Sequence, residues 1–387
     1  MEKEITNYIF EKKSFSQLVV ARELNLSVSR ANRLIRKFLS RGIIIEDGLG
    51  PSSGGRPPVV YGLNPAIGLT ISVLIDFDTT FVSLNDFRSN ILSCKKIPTD
   101  LECDSTTLIN KISKSIKELI KEKDFSTENL RGVGIASGGI INREKGILQL
   151  EMINKSLDFF TNLKLDHREL PIILEDVVYA DALGEKNLGL AKKAENFIYV
   201  RYKGTIGAAM CIDGKIHHDS TGYVSELGHI TVDKEGPLCY CGSRGCLEQV
   251  ASERYLEREI KEAIGKKVNT YIKDLLSKSN KSILEIVSEA CQRGDSMALS
   301  LLDRVAENFG IGLATMINLF HPQLIIIGGN IPTDHEIYVR LLKHYVKMYT
   351  LTGLEENIQY KFCRDIQTSG LKGLSEAVIQ HILPSLI

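Results

Sequence analysis

The stretch Glu226–Glu248, ELGHITVDKEGPLCYCGSRGCLE, restricts what this chain can fold into more than any other segment. Between two acidic residues it holds His229, Cys239, Cys241 and Cys246. Three thiols and an imidazole are the four soft or borderline ligands of a closed tetrahedral zinc site. With no open coordination position, such an ion is structural: it shapes a loop and performs no chemistry. Pro237, Gly242 and Gly245 supply the tight knuckle that a chelating loop requires. The plainer alternative is four unrelated residues of a surface loop, since free cysteines ordinarily behave as small buried hydrophobes. Glu226 and Glu248 exceed what the metal needs and point to a polar ligand held beside the loop.

A chain of 387 residues exceeds one ordinary core and implies two or three domains. Its 48 basic and 48 acidic residues cancel, so the whole molecule has no polyelectrolyte character. The opening MEKEITNYIF carries acids and no apolar core, unlike a secretory signal, and no apolar run approaches the roughly 18 to 20 residues of a membrane span. Cysteines without an export signal suit a reducing cytoplasm, where clustered thiols bind metal. Cys94, Cys103, Cys211, Cys291 and Cys363 are scattered and read as packing residues.

Charge is uneven at the start. From Lys12 to Arg41 there are eight basic residues and one acid, Glu23. Hydrophobic spacing predicts three short helices. Ile5, Tyr8 and Ile9 form the inner stripe of the first; Ser16 is placed to cap the second and Ser27 the third. In the third, Val28, Ala31, Leu34, Ile35, Phe38 and Leu39 share one face, and Ser29, Arg30, Arg33, Arg36 and Lys37 the other. Helix, tight turn and basic amphipathic helix are the parts of a helix-turn-helix. Ser29, Arg30, Asn32 and Arg33, in its first turns, are placed for base edges, and Arg36, Lys37 and Arg41 for phosphates. The strands GIIIEDG and VVYGLN flank a Gly/Pro-rich tip and make a wing, with Arg56 suited to a narrow minor groove. The alternative is a small helical bundle with a solvated basic face.

Beyond Asn64-Pro65 the pattern becomes α/β. Strands are expected at 67–76, 80–86 and 91–97, then a helix at about 105–123, the strand GVGIAS, the strand PIILE and a helix at about 177–190. A second run of three strands starts at Phe197, with Asp213-Gly214 as a hairpin turn. Helices fill roughly 247–320; QLIIIGG, another helix, a strand near Gln359 and a last helix at about 369–383 follow. The repetition suggests two lobes with a cleft between them, the usual place for a small ligand.

With these residues in place, the chain resembles the ROK family of sugar-responsive repressors and sugar kinases. Glu226-Leu227-Gly228-His229, Cys239-Tyr240-Cys241-Gly242 and Gly245-Cys246-Leu247-Glu248 look like its ExGH…CxCGxxGCLE signature. Gly55-Arg56-Pro57-Pro58, Leu183-Gly184-Glu185 and Pro322–Gly329 are similar in kind and in order. The resemblance implies a winged helix-turn-helix followed by a two-lobed, actin/hexokinase-like (ribonuclease H-like) body, usually dimeric or tetrameric. The division expected is 1–64 for the head, 65–190 for the first lobe and 191–387 for the second, the final helix being able to pack back on the first lobe. It also implies Glu226, His229 and Glu248 on sugar hydroxyls, with Asp176 as a further hydrogen-bonding group. A zinc-bound imidazole keeps a second N–H to offer a sugar.

The departures from the kinase pattern are specific. Where a DxGGT loop would cradle phosphates, the chain reads Leu74-Ile75-Asp76-Phe77-Asp78. The GTGIG loop reads Lys203-Gly204-Thr205-Ile206-Gly207. Side chains and acids in such turns keep anions from backbone amides. Counted back from Leu183-Gly184-Glu185, the Asn-Asp pair that holds the kinase base falls on Asp176-Val177, and valine takes no proton; a one-residue shift would restore Asp176 as base. The segment after Gly139 lacks the family's Asn-Leu-Pro…Trp pattern.

The expectation is therefore a cytoplasmic, sugar-responsive DNA-binding regulator, without catalytic residues, that represses carbohydrate-utilisation genes. Its expected partners are operator DNA, a sugar or sugar-phosphate effector and further copies of itself, with no membrane. The rival readings are an ATP-dependent sugar kinase with a fused DNA-binding head, and a non-catalytic partner of the sugar phosphotransferase system.

Overall fold

The computed structural model describes residues 5, 8–10, 12–51, 57–99, 104–150, 155–165, 170–218, 225–279, 281–332 and 336–386. The chain divides into two compact units, residues 1–187 with 367–387, and residues 188–366.

The first unit opens with the head. Ile5, Tyr8, Ile9 and Phe10 are helical and buried. Strand β1 (Ser14–Ser16) leads into the helix Gln17–Glu23, and the helix Val28–Ser40 follows. Ser27 caps that second helix, its hydroxyl accepting the Arg30 amide at 3.3 Å. Ser16 differs from expectation. It occupies the cap position of Gln17–Glu23 but makes no side-chain capping bond, because it is buried as the last residue of a strand. Strands β2 (Ile44–Leu49) and β3 (Val59–Leu63) form the wing, and β1 pairs with β3 to complete a three-stranded sheet in the order β1-β3-β2. Strand β1 carries no signature along the chain, being too short to show alternation. Ala31, Leu34, Ile35 and Phe38 bury the inner face of Val28–Ser40 against Ile5, Ile9, Phe15 and Val20. Val28 departs from its expected inward place: it is 49% exposed, because the first helical turn projects beyond the core.

The rest of this unit is built on β4 (Leu69–Ile75), β5 (Thr79–Asp86), β6 (Ile91–Pro98), β7 (Leu130–Ser137), a small hairpin sheet of β8 (Ile140–Asn142), β9 (Ile147–Leu150) and β10 (Lys155–Asp158), and β11 (Ile172–Asp176). The main sheet runs β11-β7-β4-β5-β6: β4, β5 and β6 are antiparallel neighbours, while β7 and β11 join parallel. Every residue of central β4 is buried, as a strand covered on both faces must be. The helix Ser105–Glu122 packs Leu108, Ile109, Ile112, Ile116 and Leu119 into this core, and Asp104 caps it. The β8–β10 sheet was not anticipated, since its strands hold three or four residues each.

The second unit repeats the plan. Strands β12 (Phe197–Lys203), β13 (Thr205–Ile212), β14 (Lys215–Ile216), β15 (Leu324–Gly329) and β16 (Gln359–Cys363) form a sheet in the order β14-β13-β12-β15-β16. Again three consecutive strands pair antiparallel and two later ones add parallel. The long helix Ser296–Phe320, capped by Asp295, runs through the core formed with Val200, Leu247, Leu256 and Ile327. The shared strand order, arising twice from one chain, is the internal repeat that the strand pattern suggested. Of the scattered cysteines, Cys211, Cys291 and Cys363 are buried; Cys94 is exposed on β6 and is not a packing residue, and Cys103 lies outside the described residues.

Candidate metal centre and nucleic-acid interface

The knuckle sits in the second unit. A short 3-10 turn, Leu227–His229, follows Glu226, and the helix Leu247–Ala251 begins directly after Cys246. Between them the chain doubles back through isolated bridges Thr231–Cys246 and Leu238–Arg244. Within the loop the Cys239 amide donates to Ser243 O at 2.8 Å and the Gly242 amide to Cys239 O at 3.0 Å. Gly245 is obligatory: its φ is +59°, and a Cβ there would lie 1.4 Å from Asp233 O.

This loop brings all four expected ligands together. One donor atom from each of His229, Cys239, Cys241 and Cys246 lies within 4.8 Å of the others. His229 Nδ1 is 3.6 Å from Cys239 Sγ, and Cys241 Sγ is 3.6 Å from Cys246 Sγ. A tetrahedral ion with bonds of ~2.0 to ~2.3 Å would set such edges at about 3.5 to 3.8 Å. Burial, with the Cys241 and Cys239 sulfurs, pushes the Cys246 thiol up to about 12, so a cation is what would make it a thiolate ligand at neutral pH. Donor type and spacing both fit a metal ion. Gln249 Nε2 donates to Cys239 Sγ at 3.7 Å, an outer-layer contact absent from the sequence reading.

The carboxylates differ from each other. Glu226 is exposed. Glu248 is 4% exposed, and burial holds its carboxyl above the usual range against the opposing pull of the Ile206 amide, Arg254 and Tyr240. His229 turns Nε2 toward Tyr240 Oη at 3.1 Å. The ring nitrogen expected to face a sugar thus already has a hydroxyl neighbour; Tyr240 stands within the signature, but a tyrosine between two cysteines carries no sequence signal of this role. Asp176, in the first unit, ends β11 and its Oδ1 accepts the amides of Val178 at 2.7 Å and Tyr179 at 3.3 Å. Val177 begins the next helix and is buried.

Both turns that depart from the kinase pattern are hairpins. Asp76-Phe77-Asp78 joins β4 to β5, with Asp76 Oδ1 accepting the Phe77 amide at 3.1 Å. Lys203-Gly204 joins β12 to β13, and the Gly204 amide donates to Glu253 Oε2 at 2.7 Å. Glu253 was not foreseen; it follows the helix-capping Ser252 and reads as an ordinary first-turn acid.

In the head, Ser29, Arg30, Arg33 and Arg36 are exposed on one face of Val28–Ser40, with Asn32 and Lys37 half-buried beside them. Gln17 Nε2 donates to Val28 O at 3.2 Å and ties the two helices across their turn. Glu23, the lone acid, pairs with Lys12 Nζ at 3.0 Å. Arg56 lies outside the described residues.

A comparison with protein-family models matches residues 71–380 to the ROK family. The chain belongs to the ROK family. A xylose repressor of Caldicellulosiruptor bescii is 26% identical over 384 residues, spanning 97% of this chain and 94% of that protein. A glucokinase of Thermotoga maritima is 28% identical but spans 74% of this chain. Among solved structures, a ROK family transcriptional regulator that is a homologue of the Escherichia coli MLC protein aligns at TM-score 0.81 and 22% identity, covering 100% of this chain and 98% of that one; it shares the fold. The fold class is the expected one: an N-terminal helix-turn-helix followed by an actin-like ROK body.

Proposed function

We propose that this ROK protein is a sugar-responsive, DNA-binding transcriptional repressor of carbohydrate-utilisation genes without kinase activity. The observation that carries the reading is the helix Val28–Ser40, a capped basic helix with an exposed polar face, fused to a ROK body and aligned along nearly its full length with a xylose repressor. Ser29, Arg30, Asn32 and Arg33 read base edges; exposed Val28 adds an apolar contact suited to a thymine methyl; Arg36 and Lys37 take phosphates. Arg56 enters the minor groove. Two such heads in a dimer or tetramer face operator half-sites one helical turn or a multiple apart.

Zinc is the ion that the one-histidine, three-cysteine set suits, as a structural staple. Glu226, His229 and Glu248 contact sugar hydroxyls, and the effector alters operator affinity only by its difference in affinity for the protein's conformations. Asp176 serves as a further hydroxyl acceptor. Absence of kinase activity is supported by the Gly204 amide, which is held by the Glu253 carboxylate, and by Phe77 and two acids in the other turn. An acid on the amide repels a phosphate from it. The protein works in the cytoplasm, and no helix among the described residues is long and apolar enough to cross a membrane.

Fluorescence anisotropy on duplexes selected by the purified chain tests the reading. Binding should weaken steeply with salt and respond to D-xylose or another sugar of a panel. A coupled assay with ATP and the same sugars should stay at background; turnover well above it would replace this reading with that of a sugar kinase.

A further inference from the structure

The head meets its body through an apolar seam, the Arg88 guanidinium, which donates to Leu63 O and pairs with Asp47 of β2 at 3.0 Å, and one fully buried charge. The seam packs Ile5, Ile9 and Phe15 with Phe87, Val378, Ile379 and Ile382. Apolar contact is non-directional and would tolerate several settings of the head. The charge is Glu376, fully buried in the last helix. Its Oε2 takes Lys13 Nζ from the head and Asn187 Nδ2 at 3.0 Å; its Oε1 takes Ser89 Oγ at 2.8 Å from the turn between β5 and β6. Lys13 is held in place from its own side: its φ is +58°, and its Nζ lies 4.3 Å from the Phe10 ring centroid. A carboxylate with no access to water depends on such complete pairing, and removing one partner is strongly destabilising.

The position of those partners matters. Asn187 is the last residue of the first unit before the chain leaves it, and the chain re-enters at Gln367, in the helix that carries Glu376. The two helices concerned, Val177–Leu188 and Ile366–Ile382, pack backbone against backbone. A Cβ at Gly184 would lie 2.0 Å from Ser369 O, and one at Gly373 would lie 1.8 Å from Ala180 O. Ser369 Oγ also donates to Glu185 Oε1 at 2.5 Å. Contacts this close leave no slack, so the pair moves as one body.

We propose that Glu376 is a positioning residue that locks Lys13 of the head to Asn187 at the chain's exit from this unit, so that a shift of the paired helices Val177–Leu188 and Ile366–Ile382 resets the head. The seam holds the head on; the polar lock selects its angle. This rests on the preceding reading only in taking the head as the part that binds DNA.

Hydrogen–deuterium exchange on the full chain, without DNA or sugar, tests the lock. Lys13→Met should raise exchange about tenfold or more in Gln17–Glu23 and also in Val177–Leu188, while β15 in the other unit stays unchanged. Lys13→Arg should restore both segments. Asn187→Ala, a milder change far from the head in sequence, should likewise raise exchange in Gln17–Glu23. Faster exchange confined to the head in Lys13→Met, or no head response in Asn187→Ala, overturns the proposal. If the wild-type chain binds no DNA, the preceding reading fails and the exchange result still decides this one.

Discussion

The Glu253 carboxylate stands on the Gly204 amide at 2.7 Å, with Asn330 Nδ2 3.1 Å from both of its oxygens. The three residues come from a hairpin turn, the start of the helix Glu253–Gly265 and the loop after β15, at the carboxyl ends of two parallel strands. That is where open α/β sheets bind ligands, and an acid of the chain itself holds the place.

Replacing the acid should free the amide. Glu253→Ala is expected to bind inorganic phosphate with a Kd on the order of a millimolar by titration calorimetry, a binding free energy of roughly −4 kcal/mol, where the wild type shows no binding. A folded variant that binds no phosphate would count against the anion-mimic role of Glu253.

The same group has a pH consequence. Burial holds Glu253 above its ordinary value of 4.5, and the Gly204 amide and Asn330 only partly offset this. The folded chain therefore binds more protons than the unfolded one from that value upward, and stability falls as pH rises through the folded pKa. Urea unfolding across this window should show a shallower decline in Glu253→Gln than in wild type.

Metal removal tests the knuckle. Cys241→Ser should lower zinc content from one ion per chain to nearly none by elemental analysis, with a melting temperature several degrees lower. Sugar response should be lost with it; a variant that keeps full sugar response without metal would separate the two roles.

Gly245→Ala removes no ligand yet should act like ligand loss. Its Cβ would meet Asp233 O at 1.4 Å, so the knuckle must open and the sulfurs part. The expected result is zinc content close to that of Cys241→Ser; normal metal binding would show that the loop tolerates what its geometry forbids.

In the head, Arg33→Ala should cost ~1 to 3 kcal/mol and relax specificity at one or two base pairs, whereas Arg36→Ala should weaken all sequences alike and reduce the salt slope by about one. Ser27→Ala, which removes the cap from the Arg30 amide, should cost about 1 kcal/mol of stability. Anisotropy titrations across salt concentrations, and thermal melts for the cap variant, check all three.

Much of this was legible in the chain. The His/Cys cluster could be read because all four candidate ligands lie in one short segment, where spacing alone brings them near. The strands β4 and β12 could be read because central strands are long apolar runs, and the helix Val28–Ser40 because its stripe has helical period. Val28 differs from expectation because periodicity says which way a residue points and not where the neighbouring core ends, and Ser16 because it closes the short strand β1. The strands β1 and β8–β10 are too short for alternation to register.

Sequence by itself determined the fold class, the family, the His/Cys knuckle and the basic face of the head, because each is a local pattern whose parts are neighbours along the chain. Tertiary structure alone decided that Glu253 meets Gly204 and that Lys13 meets Glu376 and Asn187. Those partners are 49, 363 and 189 residues apart for Glu253–Gly204, Lys13–Glu376 and Asn187–Glu376, and no periodicity carries information over such distances. A buried carboxylate must find its donors wherever folding brings them, and only the packed chain says which they are.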